Sequence, residues 1–104
     1  TMIRHIVMWK LKDQAEGATK EKNAEKLKLI LEGLRTNIDE IKSVEVGIQI
    51  NPDEEDSLDV VLISDFETEL DFQMYTRNAH HKKAIDFIDT VAEERFFVDY
   101  KVDL

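Results

Sequence analysis

The segment Tyr75–Lys83, YTRNAHHKK, sets two histidines side by side in a chain that contains three. Imidazole ordinarily titrates near pH 6.5, so each is a candidate for moving a proton at neutral pH. A helix turns by about 100° per residue, so neighbouring histidines point in different directions. For a helix running from Ala79, Ile85 and Ile88 fall on either side of His81, which places His81 in the apolar stripe. His80 lies about a quarter turn away, beside Ala84 and Phe87, at the edge or in solvent. Tyr75 precedes the start of that helix and can overhang the same space. His5 shares a strand face with Val7 and Trp9, directed at the underside of the helices. Convergence of His81, Tyr75 and His5 inside an apolar shell is the usual composition of a small-molecule pocket, and these three are the candidate catalytic residues. Taken singly, an inward histidine is more often a hydrogen-bonded core residue than a catalyst, and Tyr75 reads first as an amphipathic boundary residue; their convergence brings the two readings level. Trp9 reads as core packing.

Other chemistries find little support. The chain has no cysteine, which excludes disulfides, thiol catalysis and thiolate metal sites. It has three glycines and no Gly-rich phosphate loop. Adjacent His80 and His81 are a poor metal pair, and no H-x-x-x-H spacing exists. Ser43, Ser57 and Ser64 lack a nucleophile elbow. The acids at Asp53–Asp56 lack the spacing of a calcium loop, and with Glu93 and Glu94 they read as solvated surface. No metal and no cofactor is expected.

The elements that must position the three candidates follow from periodicity. Ile3–Leu11 alternates as a strand, and its second face (Arg4, Ile6, Met8, Lys10) is half apolar, the mark of a central strand covered on both sides. Thr19 is a plausible N-cap for a helix whose stripe is Ala24, Leu27, Leu31, Leu34 and Ile38. Val44–Ile50 alternates as a second strand, and NPDEEDS at 51–57 reads as a hairpin connection. Leu58–Phe66, with four consecutive apolar residues, reads as another central strand. Thr68–Thr90 is helical with a break near Arg77 or Asn78. Leu70, Met74 and Phe72 are expected to bury its first piece, and Ala84, Ile85, Ile88 and Val91 its second. Phe96–Val102 closes the chain as a strand. The order β-α-β-β-α-β predicts an α+β, ferredoxin-like, four-stranded antiparallel sheet with two helices on one face. The other face, expected to carry Ile6, Met8, Val61, Ile63 and Phe97, is too apolar to leave wet. A two-fold homodimer covering this open sheet face, a dimeric α+β barrel, is the simplest solution.

At 104 residues the chain is one domain, spanning 1–104. Its net charge of −9, from 23 acidic and 14 basic residues, disfavours nucleic acid and anionic membranes as partners. No apolar run approaches the roughly 20 residues of a membrane span, and the charged opening residues do not read as a secretory leader. A cytoplasmic protein with a small apolar or aromatic ligand is the expectation.

Several segments together resemble the stress-responsive α/β-barrel (Dabb, dimeric α+β barrel) family. They are MIRHIVMWKLKD at the start, the Val44–Gly47 segment, SDFETELDFQMYTRNAHHKKAIDFI and the closing FFVDYKV. In that family the middle motif reads Y-x-x-H-P-x-H. Tyr75 and His81 match its ends, whereas Asn78 and Ala79 replace its first histidine and proline. Asn78 can still cap the second helical piece. The resemblance implies a homodimer with a pocket between helices and sheet and no established reaction. It also implies an alternative, a cofactor-independent enzyme. One form is a polyketide-cyclase-like aldol cyclase with His81 as general base, Tyr75 polarising the substrate oxygen and His5 lining the pocket. The other is a cofactor-free monooxygenase.

Overall fold

A computed structural model describes residues 1–103. Strand β1 (Met2–Leu11) runs through the middle of the molecule. A two-residue hairpin, β2 (Gln14–Ala15) and β3 (Ala18–Thr19), leads into helix α1 (Lys20–Asn37). Glu16 and Gly17 at the hairpin tip both have positive φ, a conformation glycine adopts without steric cost. Strand β4 (Ile41–Ile48) and strand β5 (Val60–Phe66) form a hairpin. Helix α2 (Glu69–Arg77), helix α3 (Ala79–Val91) and strand β6 (Ala92–Val102) complete the chain. The four long strands form an antiparallel sheet in the order β4-β5-β1-β6. This is the ferredoxin-like arrangement, with the two strands that are apolar on both sides at its centre. No helix among the described residues is long and apolar enough to cross a membrane.

The local reasons for these elements are visible in the caps. Thr19 accepts from Lys22 N and Thr68 from Asp71 N, each satisfying a donor that a helix start leaves free. At Asn78 the chain turns extended (φ −70°, ψ 139°), ending α2, and the Asn78 side chain accepts from His80 N at 2.8 Å to begin α3. The expected second helix is therefore two helices, and the break is a built cap.

The core lies between the helices and one sheet face. Ile3, His5, Val7, Trp9 and Leu11 are all buried, and α1 sets Leu27, Leu31 and Leu34 over them and β4–β5. At one end Asp59 joins three elements. Its carboxylate accepts from Leu11 N at 2.7 Å and lies 3.6 Å from Lys20 Nζ.

Three expectations need correction. Leu70 and Met74 do not bury α2: they are 63% and 48% exposed. At about 100° per residue the Leu70–Met74 row and the Phe72–Tyr75 row lie on opposite sides of α2, and the side turned to the sheet buries Tyr75 with Phe72 half-buried. Strand β4 begins at Ile41 and stops at Ile48, so Ile50 is exposed at the turn. Phe97 does not lie on the helix-free face. It stands opposite Val7, so Phe96 and Val98 occupy that face beside Met8 and Ile6. Three apolar residues in a row, Phe96–Val98, hide the phase of a strand, and the register with β1 decides it.

Leu27, fully buried, and Leu70 test this assignment of the core. Leu27→Ala is expected to cost about 2–5 kcal/mol in urea unfolding, and Leu70→Ala less than about 0.5 kcal/mol.

Candidate functional site

Three elements bring the candidate residues together. His5 projects from β1 towards the helices, Tyr75 from the last turn of α2, and His81 from the first turn of α3. The Tyr75 ring is the middle member. Its centroid lies 4.3 Å from that of His81 and 6.2 Å from that of His5. Phe66 and Phe72 close the cluster, with Phe66 4.9 Å from Tyr75 and Phe72 5.0 Å from His5. Rings occupy the space between helices and sheet here. A groove of about 350 Å³ opens between α2 and β6; its walls include Ile3, Phe72, Asp99 and Tyr100, and Phe72 is the member of the ring cluster that lines it. His80 is exposed and takes no part, whereas His81 is half-buried.

The Asn78 cap explains the placement. A continuous helix from Thr68 would carry Tyr75 and His81 on divergent faces. The extended residue at 78 restarts the helix and sets the His81 ring against Tyr75. His81 Nδ1 lies 3.3 Å from the carbonyl of Thr76, the last full turn of α2. A carbonyl only accepts, so Nδ1 carries the proton and Nε2 is the basic atom.

Asp99 of β6 is the residue that sequence reading missed. It stands directly opposite His5 across the β1–β6 ladder, and its carboxylate is bonded to His5 Nδ1. That fixes the His5 tautomer in the same sense, with Nε2 free. Its signal was the same strand phase that misplaced Phe97. Once Phe97 faces the helices, Asp99 two residues on does so as well. Arg95 is on this face too, opposite Trp9. Ser64, opposite His5 on the other flank, is buried and its hydroxyl has no partner among the described residues.

Burial sets the protonation states. Desolvation lowers the His5 pKa from 6.5, against the opposing pull of Asp99, and lowers that of His81 against the Thr76 carbonyl. The charges of His5 and Arg95 push His81 down further. Tyr75, 2% exposed, has its pKa pushed up to about 12 by burial. At neutral pH the cluster therefore holds unprotonated imidazoles beside a protonated phenol, a base next to a hydrogen-bond donor. Among the described residues no three His, Asp or Glu side chains gather as a metal set.

The model of a family described as the Stress Responsive A/B Barrel Domain matches residues 3–102. A Bacteroides fragilis structure described as a dimeric protein of unknown function and ferredoxin-like fold is 30% identical. It covers 97% of this chain and 96% of its own, with a TM-score of 0.81. A dimeric ferredoxin-like protein of unknown function from Thermobifida fusca is 23% identical, over 97% and 91% of the chains, with a TM-score of 0.82. A hydroxynitrile lyase from Passiflora edulis shares the fold at 19% identity, over 98% and 94%, with a TM-score of 0.80. No curated protein matches the chain.

Both histidines have folded pKa values below the unfolded 6.5, so the unfolded chain binds more protons in that window. Stability is expected to be full above about pH 6.5 and to fall on acidification through the folded values. In Asp99→Asn the His5 titration, followed by NMR, is expected to move lower still, because the group that raised it is gone. An unmoved midpoint would remove Asp99 from the site.

Proposed function

The chain belongs to the stress responsive A/B barrel family, and on that premise we propose that it is a homodimer whose helix–sheet groove binds a small organic molecule. The observation that carries this reading is the contact of His81 with Tyr75 and the approach of His5 behind it, from three separate elements. Buried polar rings of this kind, set in apolar walls of Phe66 and Phe72, suit recognition of a compact ligand with one or two polar atoms. The Ser64 hydroxyl, buried opposite His5 and without a partner among the described residues, is a further polar group beside the cluster.

The same groups support catalysis without a cofactor as a second reading. His81 Nε2 would take a proton from a carbon next to a carbonyl, and the Tyr75 phenol would donate a hydrogen bond to the oxygen as negative charge develops there. The resulting carbanion equivalent can close on a second carbonyl of the same molecule, and the proton held by His81 then returns to product or solvent. That is an aldol-type ring closure, the chemistry a polyketide-cyclase-like enzyme needs; a cofactor-free monooxygenase would use the same deprotonation. The hydroxynitrile lyase of Passiflora edulis shows that this fold can carry an enzymatic activity.

The homodimer reading rests on the helix-free face, where Ile6, Met8, Val61 and Ile63 are only half-buried and Phe96 and Val98 are about half exposed. The Bacteroides fragilis and Thermobifida fusca relatives are described as dimeric. Two such faces packed together would close an α+β barrel. Absence of cysteine suits a cytoplasmic setting.

A ligand screen by NMR with neutral aromatic and β-keto compounds tests the pocket. Binding is expected to shift His81, Tyr75 and His5 in the wild type, with the shifts lost in His81→Ala. If no compound moves these residues, the pocket reading is wrong. For the dimer, sedimentation equilibrium is expected to return twice the chain mass for the wild type and a monomer for Ile63→Glu. An Ile63→Glu protein that stays dimeric would place the interface elsewhere.

A further inference from the structure

We propose that Arg95 selects the ligand of this groove, and that the ligand carries a carboxylate on an aromatic or apolar body. The inference rests on the pocket reading above and goes beyond it by naming the substrate class.

Strand phase provides the first observation. Arg95, Phe97 and Asp99 stand opposite Trp9, Val7 and His5, so all three project on the helix side of the sheet. Strand β6 is an edge strand, and Arg95 and Phe97 are exposed rather than roofed by helices. Along β6 the helix side of the sheet therefore carries a row of cation, aromatic ring and carboxylate, in that order, and its last member, Asp99, is both a wall of the groove and the partner of His5.

The second observation is where the guanidinium goes. Arg95 Cζ sits over the Phe97 ring, 4.6 Å from its centroid. Phe97 lies between Arg95 and Asp99 along the strand, so the exposed Arg95 arm runs along the strand towards the His5–Asp99 pair. Its charge is felt at His5, Tyr75 and His81 alike. Stacking on a ring leaves the in-plane N–H donors free, and Arg95 makes no ion pair or side-chain hydrogen bond among the described residues. A planar fork of free donors, held flat on an apolar ring, matches a carboxylate in two-point contact.

The setting makes this cation informative. The chain has a net charge of −9, which repels small anions at long range. The one carboxylate that faces the cluster from β6, Asp99, is engaged with His5. Lys101, further along the same strand face, is paired with Glu69 at 3.6 Å. Arg95, with no ion pair among the described residues, is left as a positive group whose charge reaches Tyr75 and His81. A bound carboxylate on Arg95, with its apolar body against Phe97 and Phe72, would direct the remainder of the ligand at the Tyr75 hydroxyl.

Benzoate and benzamide, equal in shape and different in charge, serve as the probes, titrated by NMR into wild type, Arg95→Met and Arg95→Lys at low ionic strength. Benzoate is expected to bind wild type about tenfold more tightly than benzamide, shifting Tyr75 and His81. Arg95→Met is expected to abolish that preference by weakening benzoate alone, and Arg95→Lys to keep part of it. Equal affinity of wild type for the two probes, with shifts at Tyr75 and His81, overturns the role of Arg95 and leaves the pocket standing. Equal loss of both probes in Arg95→Met also overturns it, since that marks stacking rather than charge. Failure of every probe, charged or neutral, to shift the cluster removes the pocket and this inference with it.

Discussion

The pleat of β1 decides which side chains of this protein meet the helices. Its odd-numbered residues from Ile3 to Leu11 are buried without interruption, and the ladder to β6 holds each opposite a fixed partner. A slip by one residue would turn His5 and Trp9 to the helix-free face and bring Ile6 and Met8 into the core. Such a slip would cost most of the apolar burial of the strand, which is why the register is strongly specified. His5, Asp99, Phe97 and Arg95 owe their common face to it.

On that frame the second helical segment adds one interruption with large effect. Asn78 ends α2 and caps α3, and the angle between the two pieces lays His81 against the Tyr75 ring. The energetic character of the site then follows from burial. Imidazoles placed among Phe66, Phe72 and Tyr75 lose hydration of their charged form, and a phenol in the same place loses hydration of its phenolate. The cluster is thereby held as base and donor at neutral pH, with Asp99 and the Thr76 carbonyl orienting the two rings. Each histidine is held in one tautomer, with the proton on Nδ1.

The helix-free face is apolar over much of its length. Its apolar row, Ile6, Met8, Val61 and Ile63 with Phe96 and Val98, is bounded at one end by a charged pair, Arg4 and Asp65. That pair is internally satisfied: Arg4 donates through Nε at 2.8 Å and through a terminal nitrogen at 3.1 Å, and Ser43 Oγ donates to the same carboxylate at 3.0 Å. The Arg4 guanidinium holds the Asp65 pKa below its ordinary value, keeping the carboxylate charged. A polar patch paired within one chain can be buried against a second without leaving a charge alone.

Much of this was legible in the residues. Alternation in Ile3–Leu11 marks a central strand, and the i, i+3, i+4 spacing from Ala24 to Leu34 marks the stripe of α1. Thr19 and Asn78 announce helix starts, because side-chain oxygens must satisfy donors that a helix start leaves free. The angular position of His81 separated it from His80. These are local rules, and they depend only on the chain's own period. What the sequence could not decide was the phase of β6, because Phe96, Phe97 and Val98 are apolar in succession and either alternation is consistent with them. Only the hydrogen-bonded ladder to β1 fixes that choice, by setting Asp99 opposite His5 and Arg95 opposite Trp9. Nor could it say that α2 would bury Tyr75 and leave Leu70 and Met74 in solvent, since a short amphipathic helix offers two rows and the sheet beneath admits one. Partner choice across a sheet is a long-range pairing, and long-range pairing belongs to the folded molecule.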